Sequence, residues 1–86
     1  MTVEYTKQFS KDLLKVKEES LKDDLFNTIT ALKTAETLNV LSNIKKLKGY
    51  QNAYRIGKYR LGFYFDGEVI KLARFATREN IYKIFP

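Results

Sequence analysis

A chain of 86 residues is long enough for one domain with a thin core, and 44% hydrophobic with 30% charged residues is an ordinary globular composition. There is no Cys and no His, which excludes disulfides, thiolate or imidazole metal sites and the commonest general base. The net charge of +6 is lopsided: residues 1–43 sum to −1 and residues 44–86 to +7, an asymmetry that points to a polyanionic partner, nucleic acid or an acidic protein.

In chain order, Val3 and Tyr5 at period two predict a short opening strand over residues 2–6. Phe9, Leu13 and Val16 then recur at helical spacing and form one apolar face, with Lys7, Lys11, Lys15 and Lys17 lying mostly off it. A second helix is expected after Ser20, with Ser20 as its cap and Asp23 three residues on. Leu21, Leu25, Ile29 and Leu32 make its apolar stripe, and it should fade before Leu38. The two helices form an antiparallel hairpin. Residues 37–43 mix β-branched and turn types and remain ambiguous, and residues 45–49 read as the approach to a sheet.

Beyond Gly49 the period switches to two. Gly57-Lys58 is a tight-turn pair between Tyr54-Arg55-Ile56 and Tyr59-Arg60-Leu61, and Asp66-Gly67 is read as a second two-residue turn. These turns set the register. The first places Arg55 opposite Arg60, and the second places Phe65 opposite Glu68 and Phe63 opposite Ile70. One sheet face then carries Tyr54, Ile56, Tyr59, Leu61, Phe63, Ile70 and Leu72 and must pack on the helices. The other carries Arg55, Arg60, Gly62, Tyr64, Lys71 and Ala73. Phe85-Pro86 is expected to tuck the C-terminus against the sheet. The whole is an α+β domain, residues 1–86, with a small antiparallel sheet and the N-terminal helical hairpin on one face. No apolar run is long enough for a membrane span and residues 1–8 lack the apolar stretch of a signal peptide, so a cytoplasmic location is expected.

Like charges directly opposed across strands are destabilising. Arg55 beside Arg60 therefore suggests a site awaiting an anion, since guanidinium groups match phosphate in a bidentate fashion. Arg78 and Tyr82, four residues apart, extend the cationic pattern. A cationic face of this kind is what a protein needs to hold a phosphodiester. Lys45, Lys46, Lys48, Lys58 and Lys71 are candidates to track an RNA backbone.

The ordered segments Lys45-Lys46-Leu47-Lys48-Gly49, Tyr54-Arg55-Ile56, Tyr59-Arg60-Leu61 and Arg78-Glu79-Asn80-Ile81-Tyr82 resemble the RelE/ParE superfamily of type II toxins, from Val3 to Phe85. The resemblance implies a cognate antitoxin, acidic and partly disordered alone. It also implies cleavage of messenger RNA on the ribosome, with no metal or cofactor, by residues that correspond to Arg60, Arg55, Arg78 and Tyr82. Thr77 stands where relatives often have His, and the Ile56-Gly57-Lys58 hairpin is shorter than in many of them. Lys58 is the candidate to replace the basic residue of the longer hairpin. ParE-type relatives instead bind DNA gyrase without cutting RNA, and an inactive relative that only binds antitoxin has the same fold. Fold and charge do not separate these readings.

Overall fold

The opening strand β1 (Thr2–Tyr5) leads into α1 (Lys7–Leu14) and α2 (Glu19–Thr34), and a meander of β2 (Ile44–Lys46), β3 (Gln51–Ile56), β4 (Tyr59–Phe65) and β5 (Val69–Thr77) runs into α3 (Arg78–Ile84). The computed structural model describes residues 1–37, 41, 43–47 and 51–85; the expectations for Lys48 and Pro86, and for the side chain of Lys46, fall outside these. The strand order is β1-β5-β4-β3-β2, antiparallel except that β1 joins β5 in parallel. The chain thus enters at one edge, crosses a face through the helices, and returns as the meander. Sixteen helical residues in α2 reach about 24 Å, enough to cover five strands about 19 Å wide.

The apolar stripes meet as anticipated. Phe9, Val16, Leu25, Ile29 and Leu32 pack on Ile56, Leu61, Phe63, Ile70, Leu72 and Phe75 in one buried cluster. Each fully buried Leu, Ile or Phe there contributes about 1.5–3 kcal/mol. Tyr54 and Tyr59, expected on this face, are half-buried at its margin. Among the described residues no helix is long and apolar enough to cross a membrane.

Two expectations are corrected. Ser20 does not cap α2: it lies inside the first turn and its hydroxyl donates to Glu18 Oε1 at 2.9 Å, while Glu18 holds the extended cap position without a side-chain cap bond. The caps that do form are Thr6 on α1 and Thr77 on α3, each hydroxyl accepting from a backbone N–H three residues on. The β4–β5 turn is also wider than two residues. Asp66 Oδ1 accepts from the backbone N–H of both Glu68 and Val69, each at 2.9 Å, which wraps the loop so that Phe65 faces Ile70 and Phe63 faces Leu72. The shift of two residues keeps every side chain on its expected face up to Leu72. Beyond Leu72 a bulge breaks strict alternation at Ala73, so that Leu72 and Phe75 both reach the core. Without it Arg74 would point into hydrocarbon.

Arg74 is held instead by Asp12, which is only 4% exposed. Arg74 Nε donates to Asp12 Oδ2 at 2.8 Å and Nη2 to Oδ1 at 3.2 Å. The Phe75 backbone N–H donates to the same Oδ2 at 2.9 Å. Nearby, the Thr6 hydroxyl donates to the Leu72 carbonyl at 2.9 Å. Together these groups satisfy the β5 edge beyond the last β1 residue and bind α1 to it.

Asp12→Ala should lower unfolding free energy by about 3 kcal/mol in chemical denaturation, because a buried N–H and a guanidinium lose their partner; an unchanged midpoint would contradict the clamp. A pH dependence is expected at Asp66. The Val69 N–H, and after it the Glu68 N–H, hold its carboxyl below the ordinary aspartate value. A lowered folded-state pKa adds stability that is present above the unfolded value and fades as pH falls through the folded one. The difference in thermal midpoint between wild type and Asp66→Ala should therefore be constant above about pH 5 and shrink below about pH 4.

Candidate nucleic-acid interface

The face opposite α1 and α2 is built in rows by the strand register. Arg55 pairs with Arg60, as the Gly57-Lys58 turn requires; Gly57 sits at φ +57° and Ile56 faces Tyr59. One row along, Lys45 pairs with Ala53 and Ala53 with Gly62. Small side chains in this second row leave a trough, and α3 occupies part of it.

Two contacts hold α3 there. At its start, the Arg78 backbone N–H donates to the Lys58 carbonyl at 2.9 Å. At its end, the Phe85 ring lies on Gly62, so close that a Cβ at position 62 would stand 2.6 Å from Phe85 Cδ2. Ile81 and Phe85 are buried with Ala73 in a second small core, partly covered by Leu47 and Ala76. Tyr64 meets the Phe85 ring edge-on at 5.1 Å between centroids. With Ile81 and Phe85 facing the sheet, Arg78 and Tyr82 stand one turn apart on an exposed side of α3.

The result is a cleft of about 390 Å³. Arg55, Arg60, Arg78, Tyr82 and Lys45 all line it, over a floor that includes Ala53 and Ile44. Asn43, which the sequence analysis did not single out, forms part of the rim; its carbonyl accepts the Arg55 backbone N–H at 2.9 Å. Arg60 Nη1 donates to the carbonyls of Gly57 at 2.9 Å and Tyr59 at 2.8 Å. This fixes the guanidinium against its own hairpin and leaves the Nε–Nη2 edge open for a bidentate acceptor. Lys45 Nζ stands 5.9 Å from the Tyr82 ring centroid, at the outer range of a cation–π contact. Among the described residues no carboxylate forms an ion pair with any of these cations.

Two of the expected lysines lie elsewhere. The Lys58 side chain, at the hairpin tip, lines a separate groove with Glu18 and Asp24. Lys71 lies with Glu4, Asp66 and Tyr64 in another, near enough to Asp66 to favour its ionised form. A side chain in a tight turn follows the turn, and Lys71 stands two strands from Arg55.

The arrangement is that of a small basic domain with an anion-suited cleft, and comparison with known proteins gives its family. No protein-family model matches the chain. It is 38% identical over 89 residues to toxin RelE3 of Methanocaldococcus jannaschii, spanning the whole of both chains. Its fold is similar to that in the RelB–RelE antitoxin–toxin complex from Methanococcus jannaschii, with a TM-score of 0.79 and 30% identity over 96% of this chain and 99% of that one. The fold is also similar to that of YafQ from E. coli, at a TM-score of 0.71 and 18% identity over 98% and 97% of the two chains. The chain belongs to the RelE family of toxins.

Gly62→Ala should expel the Phe85 ring and loosen α3. A stability loss of about 1–3 kcal/mol is expected, with faster amide exchange at Phe85, whose N–H donates to the Ile81 carbonyl. Unchanged exchange there would show that α3 does not depend on this contact.

Proposed function

We propose that this RelE-type toxin cuts messenger RNA on the ribosome and that an acidic cognate antitoxin neutralises it. The observation that carries this reading is the convergence of Arg55, Arg60, Arg78 and Tyr82 on one open cleft. A phosphodiester fits such a cleft because its non-bridging oxygens accept from guanidinium edges.

In the reaction the 2′-hydroxyl of the upstream nucleotide gives up its proton to water, its oxygen bonds to phosphorus, and the P–O5′ bond breaks as the departing 5′-oxygen takes up a proton. A 2′,3′-cyclic phosphate and a 5′-hydroxyl result. Negative charge grows on the non-bridging oxygens in the transition state, and preorganised donors aimed there supply the largest stabilisation. The open Nε–Nη2 edge of Arg60 is one such donor set, and Arg55 and Arg78 close on the same space. The Tyr82 hydroxyl both donates and accepts, so it can hand a proton to the departing 5′-oxygen, or its ring can stack on a base. The cleft's acid–base equipment is sparse, and His is absent from the chain. Such a site gains from a substrate positioned by a larger body, which supports the ribosome as the place of action. Lys45 lies at the cleft and is suited to the flanking backbone, whereas Lys58 and Lys71 line grooves of their own.

Arg60→Ala should reduce cleavage of mRNA on translating ribosomes by about 10²–10³-fold, read by primer extension, with the circular dichroism spectrum unchanged, and should relieve growth arrest. Wild-type protein that leaves mRNA intact while gyrase–DNA adducts accumulate would overturn the reading.

A further inference from the structure

We propose that Asn43 selects the base beside the scissile phosphate and that the base it selects is adenine; this rests on the nuclease reading and gives it a sequence preference. Ile44 pairs with Tyr54, and the Arg55 backbone N–H donates to the Asn43 carbonyl at 2.9 Å. Asn43 therefore continues the register opposite Arg55, and directly opposed residues share a sheet face. The row on the cleft side reads Asn43, Arg55, Arg60. At about 4.8 Å per strand, Asn43 stands one step beyond Arg55 and two beyond Arg60. Lys45, two residues on, shares that face, and its Nζ lies 5.9 Å from the Tyr82 ring centroid. Asn43, Lys45 and Tyr82 thus stand along one wall of the cleft, beside the arginines.

The Asn43 amide differs in kind from its neighbours. The other polar side chains at the cleft are Lys45, Arg55, Arg60, Arg78 and Tyr82. The four cations only donate, and Tyr82 has a single hydroxyl. Among the described lining residues, Asn43 alone brings a side-chain carbonyl, with an NH2 group beside it. Its backbone carbonyl is occupied by the Arg55 N–H, but its side chain is exposed, and among the described residues nothing hydrogen-bonds the amide. A phosphodiester carries no donor for that carbonyl, so holding backbone would use half of the amide. A base edge offers both a donor and an acceptor. Stacking on the exposed Tyr82 ring favours a purine, which has the larger ring system. Of the two purines, adenine sets its N6 amino group beside the N7 acceptor, and Asn43 Oδ1 and Nδ2 meet these as a bidentate pair. Guanine presents two acceptors there, O6 and N7, and would leave Oδ1 against an acceptor.

The test compares wild type with Asn43→Ala, which keeps the backbone bond to Arg55. Binding is measured to RNA oligonucleotides blocked by one 2′-deoxy nucleotide, with A, G, C or U placed on the 5′ or the 3′ side of the blocked linkage. Cleavage of mRNAs carrying the same changes is read on translating ribosomes. At one of the two positions wild type should bind the adenine oligonucleotide about 5- to 150-fold more tightly than the guanine one, and cleavage rates should follow the same order. In Asn43→Ala the four Kd values should fall within about twofold of one another, with the guanine value unchanged. Equal affinity of wild type for all four bases, or preference for a base other than adenine, overturns the proposal. So does a variant that weakens all four equally, which is the mark of a structural or phosphate-holding role. Wild-type protein that prefers adenine through Asn43 but leaves mRNA intact overturns the nuclease reading alone.

Discussion

The Phe85 ring resting on Gly62 is the contact on which the cationic cleft depends. A sheet face lined with ordinary side chains has no room for a helix and a cleft together. Ala53, Gly62 and Ala73 leave that room, and the ring fills the part over Gly62. Ile81 and Phe85 then face the sheet, which orients α3 and turns Arg78 and Tyr82 toward the arginine pair of the β3–β4 hairpin. On the opposite side of β5, Asp12 fixes the same stretch of strand through Arg74 and the Phe75 N–H. The strand that delivers Arg78 is thus held from both flanks, which fixes where the Arg78 backbone stands at the cleft.

The electrostatics follow from what the fold omits. Among the described residues no carboxylate pairs with Arg55 or Arg60, which face each other, and Arg60 relieves part of the strain by bonding its own hairpin carbonyls. An anion in the cleft would lower the energy of every cation around it. An RNA backbone and an acidic protein segment offer the same relief, so the feature that suits the cleft to a nucleic acid also suits it to an acidic inhibitor. Where the molecule carries carboxylates near lysines, as Glu18 and Asp24 near Lys58, the groove is of another character.

Much of this was readable from residue spacing. The apolar stripes of both helices and the Arg55–Arg60 pairing came from local rules, because a glycine-led two-residue turn leaves one register open. The parts that were not readable depend on contacts distant in sequence. Asp66-Gly67 carries the signature of a tight turn, yet the Asp66 carboxylate reaches two N–H groups and widens the loop. The bulge at Ala73 lets Leu72 and Phe75 share a face, which a strict period of two does not provide for. Arg78 and Tyr82 are spaced as one helical turn, but seven residues are too few for a periodic stripe to stand out beside a long strand. The pairing of Asp12 with Arg74 joins positions 62 apart, and nothing in either local stretch announces the other. The cleft was legible as a set of residues; its depth and its Asn43 rim were not, because both depend on how α3 packs.

The proposed reaction requires the scissile phosphate to enter the cleft bounded by Arg55, Arg60, Arg78 and Tyr82. The most direct measurement is an NMR titration of arginine side-chain and tyrosine ring signals with an RNA oligonucleotide carrying a single 2′-deoxy nucleotide at the cleavage position, which blocks the reaction. The signals of these four residues should move together and saturate at one ligand per chain, while Tyr54 and Tyr59 stay in place. Shifts confined to other surfaces, with the cleft arginines unmoved, would contradict it.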